Sequence, residues 1–338
     1  MRTRRVRGTA LLVTALSLVL AAGCSAGGGT AAAAAESDVH ATLTVGVVPA
    51  LDSAGFFIAY YEGLFKAQGL TIKPKFVTSS ETAIALQVKG QYQITGGNYV
   101  SYIQAQQDGA ANLDIFAEGS VMEPGAQDLY TMPGSPIRSL ADLKGRTVAI
   151  NAPNNILYLL TASLLTEHGI PVKDVHFVTK YPFPLIPGAL NSGAVDAAVL
   201  PEPFASSAEE QYGAVPLADL NQGATTNFPV EGYVATKQWA KQHPQTLAAF
   251  YRALEEGQQI ADANRAAVER AMEDLPGDLR LTPTAAALMS LDEYPVSSGP
   301  VGTVDKIRLQ RVVNVMREFL GFDPSFNIDS MLMTSSPA

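Results

Sequence analysis

The segments QGLTIKPKFVT at 68–78 and HGIPVKDVHFVT at 168–179 follow one pattern in two places. Each leaves a helix end through glycine, runs into alternating β-branched and aromatic residues, and stops at Val-Thr. Two further pairs keep the same offset of about one hundred residues and the same order, which makes an internal repeat. KGQYQITGG from Lys89 is echoed by SGAVDAAVL from Ser192. TLTVGVVPALDSAGFFIAYYEGL from Thr42 is echoed by TVAINAPNNILYLLTASLLTEHG from Thr147. Three pairs in register imply two similar lobes.

Each unit reads as strand and helix three times over. Thr42–Val48 alternates as a strand, and Asp52 or Ser53 can cap a helix with Phe57, Ile58, Tyr61, Leu64 and Phe65 on one face. A strand over 72–77 follows, then a helix over 82–89 capped by Ser79 and Ser80, a strand over 92–95 and a helix over 99–107. The second unit places strands near 148–151, 175–178 and 197–200. Strands alternating with helices predict α/β lobes, each built on a parallel sheet covered on both faces.

Beyond FPVEGYVAT at 228–236 the chain continues as periodic, charged helix over 239–271 and 306–320, with Pro244 and Pro283 as helix starts. The second unit is thus enclosed within the first. Two crossings follow, near 129–133 and 229–236, giving lobe 1 as 41–130 plus 235–330 and lobe 2 as 131–234. A cleft between them lies beyond the carboxyl ends of the strands, where open α/β sheets bind ligands.

The first 23 residues carry Arg2, Arg4, Arg5 and Arg7, then an apolar run from Ala10 to Ala22, the anatomy of a secretory signal. Leu20-Ala21-Ala22-Gly23 before Cys24 resembles the lipobox of bacterial lipoproteins, with leucine one step earlier than usual. Cys24 is the only cysteine of the 338 residues, and lipidation gives an exported thiol a purpose. The alternative is a plain signal peptide that leaves a spare thiol. Residues 24–40 read as a Gly/Ala/Ser tether. Losing the first 23 residues moves the formal charge from -9 to -13, which argues against nucleic acid or anionic lipid as a partner.

With GVVPALDSAGFFIAYYEGLFKAQGL at 46–70, LADLKGRTVAIN at 140–151 and GAVDAAVLPEPF at 193–204, the chain resembles the solute-binding proteins of ABC importers. Within these it is similar to the sulfonate, taurine and nitrate binders and to the thiamine-pyrimidine binders related to the yeast pyrimidine-synthase family. The resemblance implies a type II periplasmic-binding fold, two α/β lobes that close on a small solute, delivery to a membrane permease with its ATPase, and a lipid anchor on the outer face of the cytoplasmic membrane. It implies a monomer with no cofactor.

Helix N-termini present free N–H groups and partial positive charge, so several around one cleft can hold a polar solute. Those termini carry Asp52, Ser53, Ser79, Ser80, Gly97, Asn98, Asn151, Asn154, Asn155, Glu202 and Phe204, with Glu231 and Tyr233 on the return crossing. For Ser79, Ser80 and Asn154 capping alone is the competing role, and for Glu202 it is capping or support of the closed state. Tyr130, Tyr181 and Phe183 lie where they could stack on a planar solute or simply fill space. Two carboxylates favour a solute with hydrogen-bond donors, and few Lys or Arg stand near the strand ends.

His40, His168, His176 and His243 are scattered, with no metal-ligand spacing, and no phosphate loop or nucleophile elbow is present. The reading is therefore a binding protein and not an enzyme. A lipid-anchored sensor that signals to a membrane receptor is the alternative.

Overall fold

The computed structural model describes residues 39–295 and 303–333; the signal segment, Cys24 and nearly all of the tether lie outside them. In chain order the strands are β1 (Ala41–Val47), β2 (Leu70–Phe76), β3 (Ile94–Asn98), β4 (Leu113–Val121), β5 (Gln127–Thr131), β6 (Thr147–Ala149), β7 (His176–Val178), β8 (Ala197–Pro201), β9 (Val215–Asp219) and β10 (Pro229–Thr236). They form two five-stranded sheets, ordered β2-β1-β3-β10-β4 and β7-β6-β8-β5-β9. The three repeated segments fall on β1 and β6, β2 and β7, and β3 and β8, which hold equivalent places in the two sheets.

The sheets are mixed, not purely parallel. In the first, β10 runs antiparallel to both β3 and β4, and in the second β5 runs antiparallel to both β8 and β9. These are the strands by which the chain enters each lobe from the other. Each reaches its sheet from a strand of the other sheet, so no helical crossover within one sheet obliges it to run parallel to its neighbours.

The changes of sheet consequently fall at 122–126 and 220–228, earlier than the expected crossings at 129–133 and 229–236. This moves 127–130 into lobe 2 and 229–234 into lobe 1. Every residue of β5 is buried, as is all of β10 but its last. A central strand covered on both faces shows no alternation to mark where it begins.

Helix Ala54–Tyr61 lies against Pro244–Ala263, and the approach is close enough to require glycine on both sides. A Cβ on Gly55 would stand 2.6 Å from Gln258 Cγ, and one on Gly257 would stand 2.2 Å from the Gly55 carbonyl. The periodic stretch expected over 239–271 is three helices, Lys237–Gln242, Pro244–Ala263 and Arg265–Glu273. Pro244 starts the second, and Asn264 caps the third by accepting from the Ala267 N–H at 3.2 Å. Helix Lys306–Leu320 buries Leu309, Val312, Val313, Val315 and Met316, and it touches helix Tyr99–Gln107 of the first lobe and Ile156–Glu167 of the second. The tail thus fastens both lobes from outside the cleft.

Candidate functional site

Between the carboxyl ends of the two sheets lies a cavity of about 400 Å3, counting the part open to solvent. The first lobe contributes Asp52 after β1, Ser80, Gly97, Asn98 and, from β10, Glu231. The second contributes Gln127, Asn151, Asn155, Phe183 and Pro201, with Ile156 and Leu157 from the first turn of their helix.

Three helix N-termini converge here, each organised by local capping. Ser79 Oγ accepts from the Thr82 N–H at 3.3 Å, Asn98 Oδ1 from Ser101 at 2.8 Å, and Asn155 Oδ1 from Tyr158 at 3.3 Å. Ser80 Oγ accepts from both the backbone N–H and the side-chain amide of Asn98, at 3.0 and 2.9 Å. A Cβ on Gly97 would reach 2.5 Å from that Ser80 oxygen, so this strand end needs glycine. Across the cavity, Asn155 Nδ2 donates to Asn151 Oδ1 at 2.6 Å.

The opposite wall is acidic. Asp52 Oδ1 accepts from Ser120 Oγ at 3.2 Å and Gln127 Nε2 at 3.4 Å. Asp292, buried and brought in by the segment before residue 296, hydrogen-bonds to Asp52. Burial and then the Asp52 charge push the Asp292 carboxyl well above its ordinary range. Glu231 is only 3% exposed and accepts from Ser53 Oγ at 2.7 Å. Burial, reinforced by Asp52, pushes its carboxyl up to about 8. Gln127 lines the cavity, and its Oε1 is buried with no hydrogen-bond partner. No lysine or arginine is among the residues that line it.

Of the residues expected from sequence, Asp52, Ser80, Gly97, Asn98, Asn151, Asn155, Phe183 and Glu231 line this cavity; the others do not. Ser53 stands behind Glu231 as its donor, and Ser79 is spent on its cap. Tyr233 is 1% exposed and packs on Phe56 at 6.4 Å. Asn154 is exposed in a left-handed turn at φ 52°. Glu202 turns into its own helix, accepting from the Ser206 N–H at 3.1 Å, and also from the Ser290 N–H at 3.3 Å. Its main chain joins the lobes, accepting from Leu51 N and donating to Ala126 O, both at 3.0 Å. Phe204 stacks on Phe183 at 5.1 Å and 9°.

Tyr130 is spent on Glu209, to which its hydroxyl donates at 2.7 Å. Tyr181 lies under Lys180 Nζ, 4.9 Å from the ring centroid. Gln127 had no sequence signal, because its place depends on β5 belonging to the second sheet, where it pairs with Pro201. Among the described residues no cluster of three or more potential metal ligands occurs, and no helix is long and apolar enough to cross a membrane.

The family model described as NMT1/THI5 like matches residues 50–267. No curated protein sequence matches the chain. Among solved structures, it is similar to the alkanesulfonate-binding protein SsuA from Xanthomonas axonopodis pv. citri bound to MOPS, with a TM-score of 0.68 at 19% identity over 83% of this chain and 93% of that one. The periplasmic nitrate-binding protein NrtA from Synechocystis PCC 6803 gives 0.67 at 16% identity, over 86% and 84%. A Candida albicans protein with the generic periplasmic binding protein fold gives 0.71 at 16% identity, over 88% and 97%. These likenesses show the fold, two α/β lobes of the periplasmic-binding kind.

Proposed function

The chain belongs to the NMT1/THI5-like family, and from that premise we propose that it is the exported solute receptor of an ABC importer, closing on a small organic solute and passing it to a permease. The basic, apolar and Cys24 sequence at the N-terminus supports export and a lipid anchor at the outer face of the cytoplasmic membrane.

The cargo follows from the chemistry of the walls. Asp52 and, once ionised, Glu231 are acceptors, so they favour a solute that brings N–H donors, a protonated nitrogen that draws the proton off Glu231 included. The helix ends at Ser80, Asn98 and Asn155 favour an acceptor or partial negative charge elsewhere on the same molecule. An aminopyrimidine of the thiamine-precursor kind or an amino-sulfonate such as taurine meets both demands. Nitrate and simple alkanesulfonates bring acceptors only, and would meet no lysine or arginine in this lining. The observation that carries this reading is the pair of acidic side chains, Asp52 and Glu231, in a lining that holds no lysine or arginine.

A thermal-shift panel on the chain from residue 38 onward tests it. A donor-bearing compound at 100 times its Kd adds about 2.7 kcal/mol of stability. Stabilisation by aminopyrimidines or taurine, with none by nitrate or alkanesulfonates, is the expected pattern. The reverse pattern would overturn the cargo assignment and leave the fold untouched.

A further inference from the structure

A second cavity of about 410 Å3, counting its open part, adjoins the first. Its walls are Pro49, Phe76, Val77, Pro184 and Leu279, and it shares Phe183 with the polar cavity. Two features form the partition. The Phe183 ring is held flat against Phe204, which covers one of its faces and fixes its position between the two cavities. Asn151 Nδ2, of the polar cavity, donates across the cleft to the carbonyl of Thr78, of the apolar one, at 3.4 Å. One compartment is therefore built from carboxyls and amides, and its neighbour from rings and aliphatic side chains with Thr78 as its one hydroxyl-bearing residue. An apolar hollow that shares a wall with a polar site leaves surface in water that an apolar substituent would cover.

We propose that the solute is bipartite: its donor-bearing head rests on Asp52, Gln127 and Glu231, and an apolar or aromatic substituent passes Phe183 into the cavity closed by Leu279. This rests on the donor-bearing cargo reading above. The Asn151 to Thr78 bond spans the passage between the two compartments, so a substituent that fits must pass beside it along the Phe183 face.

Alkyl amidines test the proposal, because the amidinium supplies a planar pair of N–H donors and the chain length is free to vary. By calorimetry on the chain from residue 38 onward, affinity is expected to rise about fourfold per methylene from acetamidine through the first few homologues. Leu279→Asp, and independently the cavity-filling Leu279→Trp, should abolish that rise while acetamidine binds as before. Acetamidine binding with no dependence on chain length would overturn the bipartite solute and leave the head assignment standing. A rise that survives both Leu279 variants would also overturn it, since the chain would then lie elsewhere. Failure of every amidine to bind would remove the head assignment, and the bipartite solute with it.

Discussion

Glu231 concentrates the chemistry of the cleft in one carboxyl. Without a solute its buried environment favours the neutral acid up to about pH 8. A cationic head favours the carboxylate, so binding must release a proton at any pH below that value. Affinity for an amidinium is therefore expected to climb by up to tenfold per pH unit as pH approaches 8 and to level off above it. Glu231→Gln keeps the shape and the Ser53 contact but cannot ionise. It should lower affinity at pH 8 by tenfold or more, flatten the pH profile, and leave the unliganded melting temperature no lower. A variant whose affinity still tracks pH would place the titrating group elsewhere.

At the scale of elements, helix Lys306–Leu320 contributes two arginines that do different work. Arg308 Nη1 meets Glu118 Oε1 of β4 at 3.0 Å, and the Glu118 side chain is 7% exposed. Arg308→Met strands that carboxylate, at a cost of about 3–5 kcal/mol. Burial already raises Glu118, which takes up a proton more readily once unpaired, so denaturant titrations should find the loss smaller at pH 5 than at pH 8. Arg311 instead donates to the carbonyls of Ala224 and Asn227, each at 3.0 Å, and to that of Thr226, all in the returning link at 220–228. Its guanidinium also stands 5.8 Å from the centroid of the Phe228 ring. Arg311→Ala should raise amide exchange in 220–228 well above that of β10, because three carbonyls lose their common donor. Equal protection in wild type and variant would mean the link is held by its own turns.

For the whole molecule, buried acids set an unusual stability profile. Burial pushes Asp128, next to Asp219, and Glu202 up to about 7, and Glu231 to about 8. Unfolded, all three return to ordinary carboxylate values near 4, so the folded chain binds their protons more tightly. Their contribution to stability is complete below about pH 4 and is lost as pH rises through 7 to 8. The unliganded protein is expected to melt several degrees lower at pH 8 than at pH 5. A cationic solute narrows that gap by stabilising the ionised form of Glu231. A melting temperature that is flat or rises over this range would show that these acids are solvated in the unliganded state.

Much of the fold was legible because it is written locally. Glycines after helices, β-branched runs and capping residues act within a few positions, so the repeat and the Ser79 cap could be read from sequence, whereas the cap expected at Asn154 falls on Asn155 and Ser53 spends its hydroxyl on Glu231. The helix starts carried part of the cleft with them, since they follow strand ends in any α/β lobe. Other features arise only when distant segments meet. β5 and β10 join sheets by insertion between strands far from them in sequence, which moved both crossings and placed Gln127 at the cavity. Glu202 could face a solute, cap its own helix or support the closed state, and only the packed chain brings the Ser290 N–H of the tail to a carboxylate that also accepts from Ser206 of its own helix. Asp292 gives no sign in the chain of meeting Asp52, because the pairing depends on how the tail returns over the first lobe. The chain by itself determined two similar α/β lobes and the helix ends between them; tertiary structure alone decided which carboxyls share the cleft, since burial and proximity are properties of the packed chain.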